Sequence, residues 1–376
     1  MHRIERVSGL LVLGCLLSCS VPVVDEPVPM EPGVFHHPQG IAVVEDRVLI
    51  TNTAFDLETL TFGEGSVSVL DPKSRELVGS LAISARNPQF IEATQTRVHV
   101  VSSGETRFQM DSGFVHAVSD GALDVFSRFE LDAGEPLFSV ALPRHPDVPT
   151  MGAPGSFVVL PDESAAYLGL GLSAHLYRVD LRTGTLTRGP MNPIVVREHA
   201  GNDTLALALH PDGDVLVASF ITNQLHRLDP ETDSWVGEPI DLSFTGDLEG
   251  ALDLVVLPDH APDVFVLMAA ANTVTGWTSS EGQRGVSPAL FPVGPIANRL
   301  VASSGALWVV NSGANAITRH SLETGGSRNH VVFSPGSNPW DMAVDASSSR
   351  GYATLWATHQ VAEFDLESGE VTWLLH

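Results

Sequence analysis

From His37 onward, apolar residues come in short runs rich in Val, Leu, Ile and Phe, punctuated by Gly, Pro, Asn and Asp. Sustained helical periodicity is almost absent, and short β-branched runs bounded by turn residues predict strands. The first unit sets the plan. Gly40-Ile41-Ala42-Val43-Val44 is followed by a turn at Glu45-Asp46, by Arg47-Val48-Leu49-Ile50-Thr51-Asn52 and by a loop. Ser66-Val67-Ser68-Val69-Leu70-Asp71, a second turn and Glu76-Leu77-Val78-Gly79-Ser80-Leu81 complete it, giving four strands in one antiparallel sheet. The last unit repeats the plan from Pro339-Trp340-Asp341-Met342-Ala343-Val344 to Glu370-Val371-Thr372-Trp373-Leu374.

Equivalent units start near Pro38, Pro88, Pro154, Asn202, Gly250, Pro295 and Pro339, with spacings of 50, 66, 48, 48, 45 and 44 residues. A four-stranded unit at this period predicts an all-β fold, a seven-bladed β-propeller of four-stranded antiparallel blades. The blades are expected over residues 36–86, 87–150, 151–200, 201–247, 248–293, 294–336 and 337–376. A smaller mark recurs in Asp180-Leu181-Arg182-Thr183-Gly184, Asp229-Pro230-Glu231-Thr232-Asp233 and Asp365-Leu366-Glu367-Ser368-Gly369, with Ser321-Leu322-Glu323-Thr324-Gly325 as a variant. Each falls where the third strand turns into the fourth, so these aspartates are read as turn formers that accept backbone amides. Blade 5, with Thr273-Val274-Thr275-Gly276-Trp277, lacks the mark. The last strand completes blade 7 by itself, so ring closure is expected to rest on face packing between blades 1 and 7.

In Arg86-Asn87-Pro88-Gln89, Leu307-Trp308-Val309-Val310-Asn311 and Ser337-Asn338-Pro339-Trp340-Asp341-Met342-Ala343-Val344 the chain resembles the YVTN and NHL-like propellers of exported bacterial proteins. The resemblance covers nearly the whole chain after its first segment and implies fold more than function.

Strands alternate in direction, so the loops between strands two and three share a face with the connections from blade to blade. The long segments fall there: Thr53 to Glu64, Ser103 to Gly121, and Pro143 to Ala153. Long loops gathered on one face of a rigid scaffold point to function. The same face is expected to present the residues just before each inner strand, and His36, His37, Gln89, Asn202, Asp203 and Trp340 are the candidate ligand-binding residues. Trp340 stands at the channel mouth, where its ring can stack on a ligand. Glu249, Asn298 and Asp341 supply oxygen donors suited to Ca²⁺ or another divalent cation, although no motif requires one. The plainer reading is that such residues cap loops.

The first residues add a destination. Arg3 and Arg6 precede an apolar run from Val7 to Leu17, an export signal too short to span a membrane. The run ends Leu16-Leu17-Ser18-Cys19, which resembles the bacterial lipobox. That resemblance implies a signal peptide over residues 1–18 and lipidation at Cys19, and Ser20 after it implies the outer membrane, with the protein facing the periplasm or the cell surface. Residues 19–35 read as a Pro-rich, acidic tether to a propeller over residues 36–376. Both cysteines of the chain lie in this leading segment, so stability must come from packing and not from a disulfide.

Net charge changes the list of partners. At −25 the chain repels nucleic acid. No serine sits in a nucleophile elbow, no Gly-rich phosphate loop opens a helix, and no histidine pair has metal-ligand spacing. The balance is against enzymatic chemistry. The expectation is a monomeric, non-enzymatic binding or scaffolding propeller that holds an envelope protein, peptide or glycan. The alternative is a metal-dependent hydrolase, lactonase or lyase with an ion at the axis and His37 or His199 as acid or base.

Overall fold

Strands that bury side chains on both faces stack side by side as wedges around an axis, and this chain does so seven times. The computed structural model describes residues 35–109, 114–131, 134–144, 154–171, 173–196, 203–280, 284–303 and 305–376. Seven antiparallel sheets follow one another along the chain, each built from consecutive strands paired in chain order. The first strands are Pro38–Val44, Pro88–Ala93, Phe157–Val159, Ala206–Leu209, Ala251–Val256, Ala297–Ser303 and Pro339–Asp345. Except between blades 2 and 3, the first strands of neighbouring blades touch, which places them innermost. The fourth strands, from Glu76–Leu81 to Val371–Leu375, form the rim. In blades 3 and 4 the rim strand breaks and resumes at Ile194–Val195 and Ile240–Asp241.

The second strands show why the sequence reads as it does. Arg47–Asn52, Arg97–Ser102, Ala165–Gly169, Val215–Ser219, Val264–Met268, Ala306–Asn311 and Arg350–Leu355 are buried at every residue except the leading arginines. They have strands on both edges and blades on both faces, so their apolar runs are nearly continuous. Seven apolar clusters result, one at each seam between neighbouring blades. The seam between blades 7 and 1 packs Phe35, Ile41, Val48, Ile50 and Leu70 against Tyr352 and Val361. All four strands of blade 7 come from the chain's last segment, so the ring closes by packing without strand exchange. Phe35, read from the sequence as the end of the tether, is 1 % exposed within this seam.

The recurrent aspartates are turn formers. Asp71 accepts the amides of Lys73 and Ser74, Asp180 those of Arg182 and Thr183, and Asp365 those of Glu367 and Ser368. Asp229 accepts from the Glu231 amide and the Thr232 hydroxyl. Blade 5 forms in full without the mark, and there Asp263 accepts the Ser279 amide at 2.7 Å.

Two hairpins are inserted between second and third strands. Phe55–Asp56 pairs with Thr61–Phe62 in blade 1, and Thr106–Gln109 pairs with Phe114–Ala117 in blade 2. Arg86 joins them, donating to the Phe62 carbonyl and to Glu105, each at 3.3 Å.

Candidate functional site

The entrance to each inner strand decides what the insertion-bearing face presents. In five blades the residue before that strand is left-handed: His37, Asn87, Gly250, Ile296 and Asn338, with φ of 53°, 60°, 73°, 53° and 50°. Its carbonyl and the one before it accept two successive amides from the end of the second strand. His37 and His36 bind the Thr53 and Ala54 amides at 3.3 and 3.0 Å, and Asn338 and Ser337 bind those of Trp356 and Ala357 at 3.0 and 3.2 Å. Asn87 with Arg86, Gly250 with Glu249, and Ile296 with Pro295 repeat the pattern. Blade 4 replaces both carbonyls with one side chain. The carboxylate of Asp203 accepts the Phe220 and Ile221 amides at 2.8 Å each, fully buried, and burial pushes it up to about 7.

At the top of the seam between blades 7 and 1 stands an aromatic cluster. The His37 ring lies 4.3 Å from Trp356 and 4.1 Å from His359, and Phe55 of the first inserted hairpin lies 5.9 Å from Trp356. His37 donates its backbone amide to His359 Nδ1 and its own Nδ1–H to the Trp356 carbonyl, both at 3.1 Å. Burial, with His359 nearby, lowers His37 to about 4, and burial also lowers His359. Both rings are neutral at pH 7. Trp340 is half-buried 6.2 Å from Trp356, and its carbonyl accepts Asn298 Nδ2 at 2.6 Å.

Below this mouth the inner strands carry charge. Arg299 pairs with Asp253 at 3.5 Å and with Asp341 at 3.2 Å. Asp253 also accepts the Leu300 amide in the next blade, and Asp341 accepts that of Ile41 across the closing seam. The two acids thus cap inner-strand amides while Arg299 braces them. Asp253 and then burial act on Arg299 in opposite senses, and the net effect is upward. Burial raises Asp253 and Asp341, with Arg299 opposing. Glu92, on the inner strand of blade 2, is raised by burial to about 7, again with Arg299 opposing. Arg299 keeps 39 % of its side-chain surface accessible although it sits on an innermost strand, so that surface belongs to the axial channel.

The residues singled out from the sequence separate into groups. Trp340 and Asn298 meet at the mouth, joined by the bond described above, and Asp341 lies below them, paired with Arg299. His36 is exposed beside them, and Gln89 donates to Asn87 Oδ1 at 3.1 Å. Glu249 lies apart, its Oε1 accepting the amides of Phe244 and Thr245 and the Thr245 hydroxyl. Among the described residues no group of three or more His, Cys, Asp or Glu is placed to hold a metal ion. Cys19, His199 and Asn202, and the signal and tether before Phe35, lie outside the described residues. Glu92, Asp253 and Arg299 are the participants that reading the sequence missed. Their signal was present: each is the one charge inside a largely apolar first strand, a position that faces either a seam or the axis.

No family model matches the chain, and no curated protein matches it. Solved structures do. A streptogramin B lyase is similar with a TM-score of 0.62 at 12 % identity, over 88 % of this chain and 93 % of that one. The virginiamycin B lyase of Staphylococcus aureus gives 0.59 at 13 % identity over 85 % and 92 % of the two chains. A computationally designed protein, Ika8, gives 0.53 at 13 % identity over 91 % and 88 %. At these identities the likeness is one of fold.

Proposed function

We propose that this protein is a non-enzymatic binding propeller of the bacterial cell envelope, anchored by lipid at Cys19, with YVTN/NHL-like repeats as its family setting. It holds an envelope protein, peptide or glycan on the face that carries the insertions. The observation that supports this reading is the convergence on one face of both inserted hairpins, the half-buried Trp340 and the channel mouth. A rigid scaffold with its irregular segments and its accessible aromatic ring on the same side is built for recognition. The test is an array of immobilised peptides and glycans probed with the purified chain. Binding to one class, lost in Trp340→Ala, is expected. Binding to neither class, or binding indifferent to this face, would overturn the reading.

The second reading is a metal-dependent hydrolase, lactonase or lyase. Its support is that two proteins sharing the fold are lyases by name and that Glu92, Asp253 and Asp341 bring carboxylates to the axis. Of the ligands expected from the sequence, Glu249, Asn298 and Asp341, only the last two adjoin the axis; Glu249 would have to leave the Phe244 and Thr245 amides to join them, and His37 or His199 would be the acid or base. Elemental analysis of purified protein, with Glu249→Gln and Asp341→Asn, separates the two: a stoichiometric ion lost in these variants would favour the enzyme.

A further inference from the structure

We propose that the rim between blades 6 and 7 is a docking point for an acidic segment of a partner protein, with one carboxylate of that segment held between Arg319 and Arg328. Both residues adjoin a turn from third to fourth strand, on the side away from the inserted hairpins. The surface is therefore separate from the one invoked above.

Two seams show how neighbouring blades match charge there. The fifth residue of the third-to-fourth turn is Asp233 in blade 4, Arg75 in blade 1 and Gly369 in blade 7, each left-handed, with φ of 54°, 61° and 77°. Asp233 meets two arginines of blade 3, Arg188 at 2.8 Å and Arg178 at 3.8 Å. These arginines are directly opposed on adjacent strands, and the Arg178 guanidinium lies 5.8 Å from the Tyr167 ring, whose hydroxyl donates to Asp233 at 2.8 Å. Arg75 meets the opposite arrangement, pairing with Glu363 of blade 7 at 3.1 Å.

Blade 6 repeats the arginines of blade 3 without the acid. Arg319 and Arg328 are directly opposed on adjacent strands, so their side chains leave the same face, and the Arg319 guanidinium lies 5.7 Å from the Trp308 ring. Burial lowers His330 and both arginines add to that, with the Leu366 carbonyl and Asp365 opposing, so both guanidiniums act on one place. Gly369 brings no charge to them. A Cβ there would meet the His330 carbonyl at 2.0 Å, so this position admits no side chain in the role of Asp233. Asp365 of the same turn accepts the Glu367 and Ser368 amides instead. Among the described residues neither Arg319 nor Arg328 forms an ion pair.

Like charges directly opposed weaken a sheet, and blade 3 shows what relieves them, a carboxylate between the two guanidiniums. For blade 6 that carboxylate comes from another chain. Arg328 is exposed, Val332 on the same strand is 66 % exposed, and the strand's outer edge is unpaired, so the surface is open and suits a segment better than a small ion that needs enclosing walls. A long polyanion would overlie the acidic surface of a chain at −25, whereas a short segment touches only the rim. At physiological salt the wider field is screened over about 8 Å, and the contact charges decide.

The test is calorimetric titration of the purified full chain with capped hexaglutamate, with capped hexaglutamine and with inorganic phosphate, at low and high salt. Hexaglutamate should bind, hexaglutamine should not, and binding should weaken as salt rises. Arg319→Gln and Arg328→Gln should each weaken it roughly tenfold, the loss of one charge-assisted bond. Arg188→Gln, in the pair that Asp233 already bridges, should leave it unchanged. In the free protein Arg328→Gln should raise the denaturation midpoint by relieving repulsion, while Arg188→Gln should lower it by breaking the bridge to Asp233. No binding of hexaglutamate, binding that survives Arg319→Gln and Arg328→Gln together, or midpoint shifts of the same sign in the two single variants would overturn the inference. Phosphate binding at this pair without hexaglutamate binding would overturn it as well, since it would mark a small-ion site.

Discussion

Asp203 is a carboxylate that the backbone of its blade requires. Its two oxygens do what two carbonyls do in five other blades, and the cost is a buried acid without a cationic partner among the described residues. Its folded pKa, about 7, lies above the ordinary value near 3.8, so the folded state holds a proton that the unfolded chain releases. Stability from this group is therefore greatest at low pH and declines as pH rises from about 4 through about 7. Asp203→Asn should flatten that slope in denaturant titrations at pH 5 and pH 8. It should also cost about 1–3 kcal/mol at pH 5, because an amide can accept from only one of the two N–H groups. The turn aspartates behave oppositely. Backbone amides hold Asp71, Asp180 and Asp365 below the usual range, so their stabilisation is present at neutral pH and is lost as pH falls through their folded values. Asp365→Ala should therefore destabilise at pH 7 and make little difference at pH 2.

Elements in this protein are defined as much by how they begin as by what they bury. The left-handed residue before each inner strand was legible where it is Asn, since Asn87-Pro88 and Asn338-Pro339 are turn signals in any sequence. Ile296 does the same work unannounced, because a β-branched residue reads as strand and is disfavoured at positive φ. Replacing it shows the expense: Ile296→Asn should stabilise the fold by roughly 0.5–1 kcal/mol, measured by chemical denaturation. Gly250 has no such latitude, because a Cβ there would meet the Phe220 ring at 2.5 Å, so Gly250→Ala should destabilise. The seven units, their four strands and the Asp turns could be read from local pattern, which is set within a few residues. The axial network could not. Arg299 finds Asp253 and Asp341 from two other blades, and nothing in a linear pattern says which of a strand's alternate positions faces the axis and which a seam.

At the scale of the whole ring, stability is distributed over seven similar seams, and acid bears on buried histidines in several blades: burial lowers His99 to about 4 and lowers His320 and His330, while the closing seam carries two such rings. His37 and His359 have folded pKa values below their ordinary value of 6.5, His37 at about 4. Their contribution is complete above about pH 6.5 and is lost as pH falls toward 4, with His36 adding to the repulsion and Asp56 opposing it. Hydrogen exchange at pH 5 should accordingly rise in Pro38–Val44 and Arg350–Leu355, and also in Arg97–Ser102 around His99, and uniform exchange across all blades would contradict this. That same seam closes the circle without borrowing a strand from either chain end. The order of blades in the gene is then a starting point and not a structural requirement. A circular permutant that joins the two ends by a short linker and opens the chain in the Asp229–Asp233 turn would keep every seam cluster and all seven sheets, so the blade, rather than the chain, is the unit that can be rearranged.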